Sequence, residues 1–252
     1  MRHAIQWVRS LLFIIQMYLV LPIIGFGFVP LIWVNKKYAM VAIHCYCNWV
    51  RWTASWMVGL KSEIRGEVPQ DEVIIAAKHQ SFLDILLIAS ALPRPKYIMK
   101  KQLRWAPVIG LYAKYTNSIP VDRGKRGAAI KQMVADVTSG RVEPGQLVIF
   151  PQGTRVAAGA EKPYKVGTGV LYKETGQAVV PAATNVGVFW KRHGIMRYPG
   201  TAVVEFLPRI EPGMKIKEFM AEMEDAIETR SNVLMEEAGL DLKTGKRIFK
   251  EN

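Results

Sequence analysis

The run from His79 to Asp84 carries the side chains best suited to proton transfer in this chain. It places an imidazole and a carboxylate five residues apart, directly after an apolar, strand-like run from Val73 to Ala77. A hydroxyl nucleophile needs a base that takes its proton, and the imidazole needs a partner that fixes its tautomer and stabilises the imidazolium. We therefore interpret His79 as a general base and Asp84 as its orienting carboxylate.

Plainer explanations exist for both residues. His79 could be a core or helix-capping histidine, and Asp84 could cap the next helix, because Asp is a favoured N-cap residue. Ser81, between them, could be considered as a covalent nucleophile. Nucleophilic serines usually lie on a strained elbow such as G-x-S-x-G, and the sequence contains none. We therefore expect direct attack by a substrate hydroxyl, without a covalent enzyme intermediate.

Two arginines follow, each beside a glycine-containing turn. Arg123 precedes a glycine, and Arg155 follows Gly153 and Thr154 at the end of a strand-like run, Gln146–Phe150. Backbone amides at such turns approach anions closely, and guanidinium groups bind phosphate through two parallel hydrogen bonds. The alternative is ordinary surface charge. We interpret both arginines as phosphate ligands, with Gly153 and Thr154 shaping the turn that directs Arg155 inward.

In this order the blocks resemble the glycerolipid acyltransferases, and most closely the 1-acylglycerol-3-phosphate O-acyltransferases. The resemblance rests on H-x-x-x-x-D from His79, on Asp-Arg at Asp122, on F-P-x-G-T-R from Phe150, and on Val-Pro ending at Pro181. Asn185 and Trp190 stand where that family often carries an Asn and a Trp. Lys100 and Lys101 resemble a basic element between the first two blocks, and we assign Lys100 to the phosphate site.

Three positions depart from the family pattern. Gln152 stands where the family usually has Glu, which puts any role for a carboxylate there in doubt. Lys78 stands where the family usually has Asn before the motif histidine. The segment Asn117–Pro120 replaces a more usual Gly-x-x-Phe lead-in to the second block.

Composition favours a membrane as the anionic partner. Lys and Arg total 34 against 21 acidic residues, a formal net charge of +13, which attracts nucleic acid or acidic lipids. The hydrophobic excess is concentrated in the N-terminal quarter and no nucleic-acid reader motif is present, so we expect anionic membrane lipid and no nucleic acid. The two cysteines, Cys45 and Cys47, lack a zinc-type pattern, and we predict neither a metal site nor a disulfide.

Residues 1–60 predict a hydrophobic helical hairpin that associates with a membrane. No charged residue occurs from Leu11 to Val34, a run long enough to span a bilayer. A second apolar run extends from Tyr38 to Leu60, and its only charged residue is Arg51. Asn35, Lys36 and Lys37 separate the two runs. Basic residues flank the first run on both sides, which suits a hairpin that enters one leaflet and returns. Helices that span the whole bilayer are the alternative. A cleaved signal peptide is disfavoured by the length of the apolar core.

Residues 61–252 predict the catalytic domain, an α/β fold with a largely parallel or mixed sheet flanked by helices. The predicted strands are Val73–Ala77, Tyr97–Met99, Gln146–Phe150, Ala178–Ala182 and Ala202–Leu207. The predicted helices are Asp84–Ala91, a segment around Ile130–Val137, Val166–Glu174, and Ile216–Ala238 followed by Gly239 as the C′ residue. Ligand sites in such sheets lie beyond the carboxyl ends of the strands, where His79 and Arg155 occur.

The resemblance implies transfer of an acyl group from an acyl thioester, on CoA or acyl carrier protein, to the free hydroxyl of lysophosphatidic acid. The product would be phosphatidic acid, in phospholipid biosynthesis, with no acyl-enzyme, and the acyl donor would be a co-substrate with no cofactor required. The location implied is the cell membrane, with the catalytic domain on the cytoplasmic face. Glycerol 3-phosphate or a lyso-aminolipid as acceptor stays open because of Gln152, as does a non-catalytic anionic-lipid binder.

Overall fold

Three apolar helices open the chain. In the computed structural model, which describes residues 2–122, 126–138 and 144–248, these are α1 (Arg2–Gly27), α2 (Val29–Val34) and α3 (Tyr38–Val58). The first and third lie antiparallel, because the Gln6 amide near the start of α1 donates to the Val58 carbonyl at the end of α3, at 3.0 Å. The stretch His3–Val34 is long and apolar enough to cross a membrane, and most of its side chains are not buried. The predicted hairpin is present.

The hairpin also packs on the rest of the protein. Phe13 and Met17 of α1 and Val50 of α3 belong to the same buried cluster as Ile75 and Val148 from the sheet. Burial of these apolar side chains against the sheet fixes one side of the hairpin, while its other side stays exposed. The division into a hairpin of residues 1–60 and a domain of residues 61–252 remains a prediction.

A mixed seven-stranded sheet forms the centre of the protein. Its strands are β1 (Leu60–Arg65), β2 (Ile74–Ala77), β3 (Pro95–Lys100), β4 (Ile119–Val121), β5 (Gln146–Ile149), β6 (Val179–Thr184) and β7 (Gly200–Phe206). The order is β1-β7-β6-β2-β5-β3-β4. Every neighbouring pair is parallel except β6 and β7. The predicted largely parallel or mixed sheet is confirmed.

Helices cover both faces of this sheet. The remaining elements are α4 (Leu83–Ala91), a 3-10 helix (Lys101–Trp105), α5 (Pro107–Tyr115), α6 (Arg126–Thr138), α7 (Gly167–Thr175), α8 (Val186–Phe189), α9 (Ile216–Glu237) and a ribbon of β8 (Leu240–Asp241) with β9 (Lys246–Arg247). Successive side chains of a strand point to opposite faces, so Ile75 packs among α1, α3 and α4, whereas Ile74 packs among α6, α7 and α9. The interior strands are therefore apolar on both sides.

The predicted elements agree with this architecture to within a few residues. All five predicted strands and all four predicted helices are present, and Gly239 has φ +78° directly after α9, as expected of a C′ residue. The prediction missed β1, β4, α5, α8, the 3-10 helix and the ribbon of β8 and β9. Pro181 lies inside the interior strand β6. Its carbonyl accepts the Leu207 N–H from the β7 side, one residue beyond the regular ladder, and proline cannot donate the return bond, so the pairing of β6 with β7 ends there.

A buried ion pair fixes the end of β2 on the face opposite the hairpin. Lys78 is 1% exposed, and its ammonium pairs with Glu228 of α9. The Tyr164 hydroxyl donates to the other carboxylate oxygen of Glu228 at 2.8 Å. Burial, and next the charge of Glu228, raise the pKa of Tyr164, so this hydroxyl stays protonated and can donate. The Lys165 N–H donates in turn to the Pro151 carbonyl at 3.0 Å, which ties this group to the loop after β5.

We predict that the two halves of this pair contribute unequally to stability. Glu228→Gln would leave the ammonium of Lys78 buried without a countercharge and should cost about 3 kcal/mol of unfolding free energy. Lys78→Met should cost about 1 kcal/mol, because the Glu228 side chain is 26% exposed and can be hydrated while an apolar chain fills the lysine site. Denaturant unfolding of both variants measures the difference.

Glu222→Gln is the matched control, since Glu222 is an exposed carboxylate on the same helix. It should shift the unfolding midpoint little. Equal losses for Glu228→Gln and Lys78→Met would contradict the argument from unequal burial.

Candidate active site

His79 and Asp84 meet at the carboxyl end of β2. The Nδ1 atom of His79 lies 2.9 Å from Oδ1 of Asp84. The second carboxylate oxygen, Oδ2, accepts the backbone N–H groups of Gln80 and Ser81, each at 2.8 Å. Asp84 is fully buried, in the first turn of α4, and the N-cap position is Phe82. Asp84 therefore holds the turn and the imidazole together and does not act as a helix N-cap.

The ring of His79 is fixed by stacking as well as by hydrogen bonding. It lies on the ring of Phe150 with centroids 4.0 Å apart and planes inclined by 20°. Phe150 directly follows β5, the neighbour of β2, so the register of the two parallel strands brings these rings together. Behind Phe150 stands Tyr97, whose hydroxyl donates to the Ile85 carbonyl at 2.8 Å. Burial raises the pKa of Tyr97, which keeps that donor protonated.

This arrangement leaves Nε2 of His79 as the proton acceptor. A neutral imidazole that donates through Nδ1–H to a carboxylate carries its lone pair on Nε2. His79 lines a large cavity, whereas Ser81 is fully buried and is not among the lining residues. The Ser81 Oγ instead accepts the Leu83 N–H at 3.3 Å, a local turn contact.

The cavity has a volume of about 680 Å³ and joins the sheet to the hairpin. Part of its lining is polar and basic, with His79, Lys100, Arg155 and Arg192. Its larger part is apolar and comes from the hairpin, α4, β3 and α5. The hairpin contributes Tyr18, Leu21, Ile24, Gly25, Ala42, Ile43, Tyr46 and Cys47, and the other elements contribute residues such as Ile85, Leu86, Met99, Val108 and Tyr112. A cavity with both basic and apolar lining suits an amphiphile with an anionic head and an apolar tail.

Three of the predicted phosphate-binding residues border this cavity. Thr154 and Arg155 line it beside His79, and so does Lys100 at the end of β3. Gly153 does not line it but makes the turn before them, with φ +69°, a conformation that favours glycine. A Cβ at Gly153 would lie 2.7 Å from the Lys165 ammonium, the end of a flexible side chain, so the positive φ is the stronger reason for glycine at this position. Arg123, the remaining predicted ligand, lies outside the described residues.

Sequence reasoning missed Arg192 as a site residue. In the structure Arg192 lines the cavity, and its Nη1–H donates to the Arg155 carbonyl at 3.2 Å. The bond joins two loops 37 residues apart in the chain. No local pattern around Arg192 could have indicated this contact, because it depends on how β6 and β7 place the loop.

Gln152 and Lys78, two of the three departures from the family pattern, are both buried. The Gln152 side chain is 1% exposed and its Nε2–H donates weakly to the Lys162 carbonyl at 3.5 Å. Its Oε1 has no hydrogen-bond partner among the described residues. A neutral amide is compatible with this dry position, where an unpaired carboxylate would be costly. The positive charge of Lys78 is neutralised by Glu228 on the face of the sheet opposite the hairpin.

Asn185 and Trp190 support the site from behind. The Asn185 Oδ1 accepts the Val203 N–H at 2.7 Å, and its Nδ2–H donates to the Leu234 carbonyl at 3.1 Å, which joins β7 to α9. Trp190 meets the edge of Phe13 from α1 with ring centroids 5.6 Å apart. Both side chains are buried, so they act as structural connections.

Comparison with known proteins places this site in a family. Residues 60–185, half of the chain, match the family model described as acyltransferase. A 1-acyl-sn-glycerol-3-phosphate acyltransferase of Pseudomonas aeruginosa is 26% identical over 210 residues, which cover 81% of each chain. The alpha form from Mus musculus is 28% identical over 163 residues, 62% of this chain and 57% of its own length.

The fold has a solved counterpart. The crystal structure of the 1-acyl-sn-glycerophosphate acyltransferase from Thermotoga maritima superposes with a TM-score of 0.77 at 19% identity, covering 91% of this chain and 97% of that one. The match extends across the sheet and most of the hairpin, since so little of either chain is left over. The resemblance carried by the four sequence blocks is confirmed, and this chain belongs to the acyltransferase family.

Proposed function

We propose that this protein transfers an acyl group from an acyl thioester to the free hydroxyl of 1-acylglycerol 3-phosphate, giving phosphatidic acid. One observation carries the proposal: the imidazole of His79, oriented by Asp84, lines a cavity whose wall contains both cationic side chains and a large apolar surface. The acceptor has its hydroxyl between a phosphate and an acyl chain. The names of the relatives from Pseudomonas aeruginosa and Mus musculus support the same acceptor.

The reaction follows from the hydrogen bonds of His79. Its Nε2 takes the proton of the acceptor hydroxyl as the oxygen attacks the thioester carbonyl carbon. The imidazolium is stabilised by Asp84, 2.9 Å away. When the C–S bond breaks, the thiolate leaves and the imidazolium returns the proton to sulfur, so the reaction forms one ester and one thiol. Proton transfer of this kind contributes about 10²–10⁴-fold to rate. No acyl-enzyme forms in this scheme.

The basic end would hold the phosphate. Arg155 offers a bidentate guanidinium, Lys100 a point charge and Thr154 a hydroxyl, all on the cavity wall. We place Gly153 with them as the turn that aims Arg155, and Arg123 as a further ligand from the second sequence block. Arg192, held against the loop of Arg155, adds a third guanidinium.

The hairpin would keep this chemistry at a membrane. Its exposed side includes five tryptophans, Trp7, Trp33, Trp49, Trp52 and Trp56. Tryptophans are typical of the interface between lipid and water. We propose a cell-membrane location with the catalytic domain facing the cytoplasm, where CoA or acyl carrier protein supplies the acyl group as co-substrate and no other cofactor is needed. Both cysteines are free, which agrees with a reducing compartment.

We predict that His79→Ala and Asp84→Asn inactivate the enzyme to a similar degree, lowering kcat by about 10²–10⁴-fold. In the second variant the amide oxygen should accept the Gln80 and Ser81 N–H groups, as Oδ2 does now. The amide NH2 would then face Nδ1 of His79, so the imidazole proton would move to Nε2 and the base would be lost. Initial rates of thiol release measure this.

His3→Ala and Asp225→Asn are the matched controls, because both residues are exposed and distant from the cavity. Each should keep normal turnover. Retained activity in Asp84→Asn would contradict the tautomer argument, and retained activity in His79→Ala would contradict the proposed chemistry as a whole.

We predict a clear order of acceptors. Long-chain 1-acylglycerol 3-phosphate should have the highest kcat/KM, since it fills the apolar part of the cavity and presents a phosphate monoester to the basic end. Glycerol 3-phosphate lacks the chain, and a lyso-aminolipid replaces the monoester by a diester of lower charge. Parallel assays with one acyl-CoA donor give the ranking. Absence of transfer to the lysophosphatidate would overturn the assignment.

We predict that Arg155→Ala raises the acceptor KM by about 10–100-fold, because a hydrogen bond to a charged group contributes about 1.5–3 kcal/mol. The donor KM should change little. Arg155→Lys should recover part of the loss, since it restores the charge but not the bidentate geometry. Arg94→Ala, at an exposed arginine outside the cavity, is the control. A fall in kcat with an unchanged acceptor KM would be the contrary result.

A further inference from the structure

The segment from Lys100 to Ile109 presents an exposed basic and aromatic surface beside the cavity. Trp105 is 86% exposed, the highest value of any large hydrophobic side chain that the structure describes, and Leu103 and Ile109 are more than a third exposed. Lys100, Lys101 and Arg104 are exposed on the same short stretch. No ion pair among the described residues uses these three cations. Neither packing nor ion pairing among the described residues therefore explains why these apolar and basic side chains occur together.

This surface continues that of the hairpin. The Tyr112 hydroxyl of α5 donates to the Gly25 carbonyl of α1 at 2.8 Å. Val108 packs over Gly25 so closely that a Cβ there would lie 2.6 Å from its side chain. These contacts hold the 3-10 helix and α5 beside the exposed apolar side of the hairpin.

The same segment borders the candidate active site. Lys100, Leu103, Val108 and Ile109 all line the cavity that contains His79. A partner that covers Leu103, Trp105 and Ile109 from outside would therefore also cover this wall of the cavity.

We propose that the segment Lys100–Ile109 is a second bilayer-contact element, which binds anionic phospholipid headgroups through Lys101 and Arg104 and seats Trp105 at the lipid interface. Cations next to an interfacial aromatic side chain match the chemistry of an acidic membrane surface. Contact there orients the protein about the hairpin, with the cavity turned to the leaflet. The consequence for catalysis rests on the proposed function, but the contact itself does not.

An acidic carrier protein is the competing partner for a basic patch. The exposed apolar side chains favour the membrane, and so do the contacts of Tyr112 and Val108 with Gly25, which join this segment to the hairpin that we propose enters the bilayer. The experiment below separates the two partners.

Photo-crosslinking in vesicles tests the proposal. Trp105→p-benzoylphenylalanine and Val166→p-benzoylphenylalanine are compared in full-length protein reconstituted with phosphatidylcholine and phosphatidylglycerol. Val166 is 54% exposed and adjoins α7 on the opposite face of the sheet. We expect lipid adducts at position 105 and only background at position 166. Equal lipid yields at the two positions, or an adduct with added acyl carrier protein in place of lipid at position 105, would overturn the proposal.

A charge variant tests the role of the anionic headgroups. Lys101→Gln with Arg104→Gln should weaken the docked state by up to about 30-fold, so the yield at position 105 should fall, as it should on pure phosphatidylcholine. Lys173→Gln with Lys217→Gln removes the same charge from exposed sites on α7 and α9 and should leave the yield unchanged. An equal fall in both double variants would contradict local docking.

The adduct does not depend on turnover. Crosslinking in the His79→Ala background should give the same yield, so a chain without acyltransferase activity but with lipid adducts at position 105 would refute the proposed function and leave the contact surface standing. A protein with acyltransferase activity but without lipid adducts at position 105 would refute the contact surface and leave the proposed function standing.

Discussion

The buried carboxylate of Asp84 is the constraint on which the site depends. A charge so fully removed from water is tolerable only when its lone pairs are matched, and here two backbone amides and one imidazole match them. The two amides belong to the turn that carries His79, so the same carboxylate shapes the turn and orients the ring. The histidine and its turn therefore cannot move independently of Asp84.

Strand alternation explains how one short stretch serves two purposes. Lys78 and His79 are neighbours after β2, yet their side chains leave on opposite faces of the sheet. Lys78 is locked to Glu228 among α6, α7 and α9, and His79 stacks on Phe150 toward the hairpin. The ion pair that stabilises the fold and the histidine proposed to take part in catalysis therefore lie on opposite faces of the sheet. A buried lysine in the place of the family's usual Asn is acceptable for that reason.

Much of this was predictable because it is local. The apolar runs that became β2, β5 and β6, and the turn with H-x-x-x-x-D, depend on near neighbours in sequence. Edge strand β1 was missed because only Leu60 and Ile64 of its six residues are apolar, and β4 because it spans three residues. The bond from Arg192 to Arg155, and the pairing of Lys78 with Glu228 across 150 residues, depend on tertiary packing alone. Hydrophobic periodicity carries no information about such contacts.

The position of the imidazole along the cavity links the fold to the chemistry. The sheet supplies the cationic end, because Arg155 and Lys100 follow the parallel strands β5 and β3 at the same edge. The hairpin supplies the apolar end, because α1 and α3 pack on the sheet face that carries His79. His79 lines the same cavity, so its surroundings depend on both the sheet and the hairpin. An acceptor with a phosphate and an acyl chain needs both kinds of wall, so the hairpin acts as a wall of the proposed substrate site in addition to associating with the membrane.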